Sequence, residues 1–261
     1  MKLVTITRSL LRSAAAAALA LSVAGCATTP ATSEGETTVN DPLEGPNRVV
    51  FAVNEAADKV VIRPVTEVYV AVVPDPLRQA VHTFIQNLMS PLYIANHLLQ
   101  GNFEGAQLAT GRFMTNTILG LGGIADVASE AGLPEKPADF GQTLGVWGLG
   151  SGPYLVLPLL GPSNVRDAVG YGVDTLGDPF RIWTNGVGQD GLQWGRTGAS
   201  GVDRRSQVLR EIDDLRRNSI DFYATVRSLY AQQRDAAIRG SSAPANPEFP
   251  EFPEYNTPAK K

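Results

Sequence analysis

Residues 76–99 read PLRQAVHTFIQNLMSPLYIANHLL, and the spacing of their apolar side chains decides the fold class. Pro76 suits a first helical turn, where its missing N–H leaves no hydrogen bond unmade. From there Leu77, Ala80, Val81, Phe84, Ile85 and Leu88 recur at i, i+3, i+4, i+7, i+8 and i+11, one face of an α-helix. Ser90-Pro91 reads as the end of that helix and the start of a second, with Pro91 in its first turn. Leu92, Ile94, Ala95, Leu98 and Leu99 are the apolar positions of this second helix, and Gly101 is its stop. A third helix is predicted over Phe103 to Leu119, where Phe103, Ala106, Leu108, Ala109, Phe113 and Met114 spread widely around the axis. Helices apolar over so wide an arc are either deeply buried or face lipid.

Working outward, Val208, Ile212, Leu215, Phe222, Val226 and Leu229 mark a narrow stripe on what reads as one long helix otherwise covered by Arg, Asp and Glu. Lys59 to Val73 is rich in valine and is the one stretch read as a short extended segment; no run alternates convincingly with period two. The fold class is all-α. Charge is unevenly spread: Leu77 to Gly201 holds 15 charged residues in 125, whereas Val202 to Arg239 holds 14 in 38. The two parts should therefore face different surroundings. Phe140 to Val165 runs 26 residues without a charge, but its six glycines and three prolines argue against a regular spanning helix. A re-entrant or interfacial segment lining a cavity fits this composition, and so does a buried loop.

The N-terminus sets the compartment. Lys2, Arg8 and Arg12 form a basic region ahead of the apolar run Ser13 to Val23, eleven residues long, where a spanning helix needs roughly 20. Val23-Ala24-Gly25-Cys26 then reads as a lipobox, so residues 1–25 are a lipoprotein signal peptide and Cys26 is the lipidation site. Cys26 is the only cysteine, which leaves no disulfide framework, Cys-ligated zinc or catalytic thiol. Residues 26–40 have the small, polar composition of a flexible tether, residues 41–239 form the helical domain, and residues 240–261, with five prolines, read as a disordered tail. Ala27, rather than aspartate, follows the cysteine, which favours the outer membrane.

Little in the chain points to an enzyme. A net charge of −4 argues against nucleic acid as a partner. The two histidines, His82 and His97, fall on separate predicted helices and read as surface or partly buried polar residues. No G-x-S-x-G, H-E-x-x-H or P-loop occurs. Gly120-Leu121-Gly122-Gly123-Ile124-Ala125 matches the G-x-G-x-x-A dinucleotide pattern, but no strand and helix alternation surrounds it. A flexible or closely packed turn is the better reading. Asp126, Glu130, Glu135 and Asp139 have no His or Cys beside them in sequence and read as a solvated acidic face; no metal or cofactor is expected.

Asp41-Pro42-Leu43-Glu44-Gly45-Pro46-Asn47-Arg48, Arg63-Pro64, Asn87, Arg112-Phe113 with Asn116, and Gly120 to Gly123 followed by Asp126 resemble the MlaA (VacJ) lipoproteins. So do Phe140-Gly141-Gln142-Thr143-Leu144-Gly145, Gly152-Pro153-Tyr154, Arg166-Asp167 and Asp178-Pro179, in the same order. The resemblance covers roughly Asp41 to Arg239 and fails only in the Pro-rich tail. It implies a ring-shaped helical protein embedded in the inner leaflet of the outer membrane, with a central amphipathic channel. It also implies removal of mislocalised phospholipid from the outer leaflet, with a soluble periplasmic lipid carrier and a trimeric porin as partners. On this reading Gly120, Gly122, Gly123, Phe140, Gly141 and Gly145 are the channel or hinge candidates. The competing class is an envelope scaffold lipoprotein that moves no lipid and acts through the charged C-terminal helix and the Glu-Phe-Pro units of the tail. A lipid hydrolase would need a catalytic triad that no motif locates.

Overall fold

The computed structural model describes residues 39–242. The expected signal peptide and lipidation site Cys26, and almost all of the expected tether and Pro-rich tail, lie outside the described residues. Helix α1 (Glu44–Ala57) passes through a turn of π-helix (Asp58–Ile62) directly into α2 (Arg63–Val72). The long helix α3 (Asp75–Leu99) and α4 (Phe103–Ile118) form an antiparallel pair joined at Gly101, whose φ of 71° is in the region that favours glycine. The short α5 (Val127–Glu130) and α6 (Phe140–Val146) lead to a hairpin of β1 (Tyr154–Leu157) and β2 (Gly161–Asn164), with Tyr154 opposite Asn164 and Leu157 opposite Gly161. Helices α7 (Val165–Gly177), α8 (Pro179–Gly186), α9 (Asp190–Gln207), α10 (Leu209–Asn218) and α11 (Phe222–Ser242) complete the described chain.

The all-α class stands, with five corrections. Ser90-Pro91 does not divide a helix: α3 continues through Pro91. An interior proline costs about 3 kcal/mol or more, and the packing of α3 along α4 and against α9 and α6 holds the helix together across it. The valine-rich segment is helical, because Val61, Val65, Val68 and Val72 recur on one face and all point outward while Thr66 is fully buried on the other. The single long helix expected from Val208 is α10 and α11, broken at Ser219, where the backbone turns extended. The uncharged stretch contains the β-hairpin, and α11 runs through Gly240 to Ser242, past the boundary drawn for the tail.

The hairpin is recognised by asparagine side chains. On α1, Asn47 Nδ2 donates to the Tyr154 carbonyl (3.0 Å) while its Oδ1 accepts from Val156 N (3.0 Å). Two turns later Asn54 repeats the pattern on Leu157 O (2.9 Å) and Leu159 N (2.8 Å). The two amides stand in for a neighbouring strand along β1 and satisfy its edge. Behind them Tyr154, Val156 and Tyr223 form a small core with Val50 and Phe51 packed on it. Asn47→Leu keeps side-chain volume but leaves the Val156 N–H and the Tyr154 carbonyl unpaired in that core. The expected loss is about 1–3 kcal/mol per orphaned group, read as a fall in unfolding midpoint, and an unchanged midpoint would remove this account of the hairpin.

Candidate functional site

A small open cleft lies between α3 and α4. Gln86, Asn87, Ser90 and Tyr93 line it from α3, Ala109, Arg112 and Asn116 from α4, and Glu135 and Lys136 from the loop before α6. Its wall is held by a buried arginine. Arg112 donates to both oxygens of Asp126 (3.1 and 3.2 Å), to Ser129 Oγ (3.0 Å) and to the Leu133 carbonyl. Asn116 donates to Asp126 Oδ1 (3.0 Å) and accepts from Ala128 N (2.8 Å). Burial pushes the Asp126 carboxyl up, but hydrogen bonds from Ser129 and Asn116 and the Arg112 charge outweigh it and hold it below the usual range. Three of the four acidic residues are not simply solvated: Asp126 pairs with Arg112, Asp139 with Arg234, and Glu135 with His82, whereas Glu130 is exposed as expected.

The glycine turn packs against two residues of the cavity wall, Asn87 and Asn116. Gly123 N donates to Asn116 O (2.8 Å), Gly122 N to Thr117 O (3.0 Å) and Ala125 N to Gly120 O (3.0 Å). Leu121, Gly122 and Gly123 all have positive φ, at 54°, 75° and 94°. A side chain at Gly123 would meet Asn87 Cβ at 2.5 Å, and one at Gly120 would run into the Asn116 and Ala125 carbonyls. Gly122 has open space where a Cβ would stand. The tips of the turn, Leu119, Leu121 and Ile124, are exposed and apolar.

Phe140, Gly141 and Gly145 form a second group. The Phe140 N–H donates to Asp174 Oδ2 (2.8 Å), and its ring meets Trp147 edge-on at 5.9 Å. Gly141 and Gly170 let α6 and α7 touch backbone to backbone, and Gly145 admits Ile238 of α11. α6 is tied to the far end of α3 by Thr143 Oγ to Asn96 Oδ1 (2.9 Å). Asn96 is nine residues, or about 13 Å of helix, beyond Asn87, so the candidates are two clusters rather than one.

Both histidines have structural partners. His97, expected at or near the surface, is 1% exposed. Its Nε2 lies 3.0 Å from the Lys136 carbonyl, which can only accept, so this nitrogen carries the proton and holds the loop at the cavity mouth. His82 Nδ1 lies 2.8 Å from Asp203 of α9 and Nε2 lies 3.5 Å from Glu135. These two carboxylates, by hydrogen bond and charge, raise His82 to about 9. Its stabilising contribution is full below the unfolded value of about 6.5 and is lost as pH rises through about 9. His82→Gln should flatten that alkaline loss in a thermal unfolding series; the same slope in both proteins would rule the cluster out as its source.

Lys136, Gln86 and Tyr93 were not legible as site residues from sequence, because nothing local marks a cavity assembled across thirty or more residues. The helix pattern of α3 was the one available signal for which side chains share its inward face.

Polarity is inverted across the described residues. Eight hydrophobic residues are buried, against 19 polar or charged ones, while 35 large hydrophobic side chains are exposed. On α7, Val165, Val169, Val173 and Leu176 form an outward stripe at helical spacing while Arg166, Asp167 and Gly170 are buried on the opposite face. Monomeric water-soluble proteins rarely expose apolar surface on this scale. Among the described residues no helix is long and apolar enough to cross a membrane, and no group of His, Cys, Asp and Glu could hold a metal ion.

Fold and site together define a helical protein with polar interior networks and an apolar exterior. It belongs to the MlaA lipoprotein family, whose match covers residues 39–237. It is 36% identical over 225 residues to the intermembrane phospholipid transport system lipoprotein MlaA of Escherichia coli K12, covering 83% of this chain and 84% of that protein. The MlaA lipoprotein of Haemophilus influenzae is 32% identical over 219 residues, covering 82% and 84%. An uncharacterized protein of Rickettsia felis is 35% identical over 202 residues, covering 77% and 79%. A solved structure described as the structural basis for maintenance of bacterial outer membrane lipid asymmetry superposes with a TM-score of 0.67 at 36% identity, over 76% of this chain and 99% of that one.

Proposed function

We propose that this protein is an outer-membrane lipoprotein that removes mislocalised phospholipid from the outer leaflet and passes it to a soluble periplasmic carrier, maintaining lipid asymmetry. The observation that carries this reading is the inverted polarity, 35 large hydrophobic side chains exposed and 19 polar or charged residues buried. Each exposed valine or leucine that enters hydrocarbon recovers roughly 1.5–3 kcal/mol, so the valine stripes of α2 and α7 would seat the domain in the inner leaflet. This surface supplies a second attachment beside the lipid on Cys26. A helical ring around an amphipathic channel gives the charged headgroup a wet polar path while the acyl chains stay with apolar surface. Gly120, Gly122 and Gly123 act as the hinge of that channel, and Phe140, Gly141 and Gly145 belong to its fixed wall. The charged α9 to α11 region would face the periplasm and the carrier, with a trimeric porin as the companion in the membrane.

The test is phospholipid exposed at the cell surface, measured with a probe that cannot cross the outer membrane. Deletion should raise it, the wild-type gene should restore it, and Cys26→Ala should not. No rise in a strain lacking a second copy would sink the transport reading in favour of a scaffold. A scaffold would also fail on deletion of residues 243–261, whereas a channel would keep working.

A further inference from the structure

One buried polar group in the cavity has no partner. Asn87 is 7% exposed and lines the cavity. Its Nδ2 donates to Thr117 Oγ (3.0 Å) and the Gly122 carbonyl (3.3 Å). A carbonyl only accepts, so the Gly122 contact fixes the amide orientation. Asn87 Oδ1 is left buried with no donor among the described residues, an arrangement native proteins avoid unless a ligand or water supplies the hydrogen. Of the two cations on the cavity wall, Arg112 is committed to Asp126, Ser129 and the Leu133 carbonyl. Lys136 takes part in no ion pair among the described residues, and His97 holds its backbone in place.

We propose that the cavity is a headgroup subsite selective for phospholipids whose headgroup ends in a hydrogen-bond donor. Asn87 Oδ1 accepts from the ammonium of ethanolamine or a hydroxyl of glycerol, and Lys136 faces the phosphodiester. Choline carries the same charge as ethanolamine but has no N–H, so it cannot satisfy Asn87. Because Nδ2 of the same side chain holds the Gly122 carbonyl, the residue that reads the headgroup also supports the glycine turn. This inference rests on the transport reading and names the lipid class that the passage prefers.

The full-length lipidated protein in detergent is equilibrated with equal amounts of phosphatidylethanolamine and phosphatidylcholine bearing identical chains, and the retained lipid is measured by mass spectrometry. One hydrogen bond from a charged donor predicts about a tenfold preference for the ethanolamine lipid. Asn87→Leu should bring the ratio to about one. Asn87→Asp, which keeps an acceptor but loses the Gly122 contact, should retain the preference, separating headgroup recognition from support of the turn. Lys136→Gln should lower both lipids without moving the ratio, because both carry the phosphodiester. Excess glycerophosphoethanolamine should not displace the lipid; displacement would make the ligand a soluble amine and overturn the proposal. Equal retention of both lipids by the wild type, or an unchanged ratio in Asn87→Leu, also overturns it while leaving transport intact. Wild-type protein that retains neither lipid would instead count against the transport reading.

Discussion

Asp167→Asn will destabilise the folded protein by about 3–5 kcal/mol, the range for breaking a buried ion network from one side. Asp167 sits at the start of α7, where its side chain is 8% exposed and accepts from Arg166 Nε (3.0 Å), Arg234 Nε (2.8 Å), Arg234 Nη2 (3.0 Å) and Asn164 Nδ2 (2.7 Å). The Tyr230 hydroxyl also donates to it. An amide of the same size has one acceptor oxygen and no charge, so Arg166 and part of Arg234 lose their counterion in a place water does not reach. Those contacts join β2, α7 and α11, and Arg234 also holds Asp139 at the start of α6, so the loss should spread along all of them. Burial pushes the Asp167 carboxyl up, yet the hydrogen bond and charge of Arg234, with Tyr230 and Arg166, hold it below its ordinary value.

A depressed carboxylate pKa gives stability that is present above the unfolded value of about 3.9 and disappears as pH falls through the folded one. The wild type should therefore lose stability in acid more steeply than Asp167→Asn. Unfolding midpoints in detergent over an acid series measure both effects. Asp214→Asn, which breaks a pair with Arg217 whose side chains are 61% and 71% exposed, is the control and should change nothing measurable. A midpoint in Asp167→Asn equal to the control would mean that the network contributes no net stability.

Gly120→Val should unfold the wall of the cavity, whereas Gly122→Leu should leave the fold and membrane attachment in place and change lipid passage. At Gly120 a side chain would run into two backbone carbonyls, those of Ala125 and Asn116. Backbone cannot rotate away as a side chain can, so Asn116 must shift and release Ala128 N and Asp126. Overpacking of this kind costs about 3 kcal/mol, with loss of transport following loss of structure. At Gly122 nothing lies within 4 Å of the added carbon, and the penalty is the φ of 75° alone, about 1–2 kcal/mol. Membrane fractionation and surface-exposed phospholipid, measured together, separate the cases. Normal passage in Gly122→Leu would end the hinge assignment, and a stable, active Gly120→Val would end the steric one.

Helical periodicity was legible wherever a face repeats locally. It placed α3 and α4, and the α4 boundary falls within a residue of the one expected. It misjudged Pro91, because an interior proline is a local penalty whose outcome depends on packing between α3, α4 and α9. It misjudged Lys59 to Val73 for a related reason: valine favours strands intrinsically, and that preference yields when one face of the helix carries Thr66 inward and the other presents valines outward. The glycine run from 120 to 123 was legible as a turn, whereas its partner Asn87 lies more than thirty residues earlier. Asp126, Glu135 and Asp139 looked solvated because their partners Arg112, His82 and Arg234 are on three other helices.

By itself the sequence determined the helical class, the glycine turn and the expectation of a lipidated Cys26, because periodicity, backbone permissiveness and a lipobox are properties of neighbouring residues. Which way the helices face was decided only by the tertiary structure. An amphipathic helix with one apolar stripe reads the same whether that stripe is buried in a core or turned towards lipid. The choice appears only when Arg112, Asp167, Asp178 and Arg205 are found inside, each paired with a residue outside its own helix, and the valines outside. The physical reason is that a buried charge is stable only with its counterion in place, and the counterion arrives from another part of the chain.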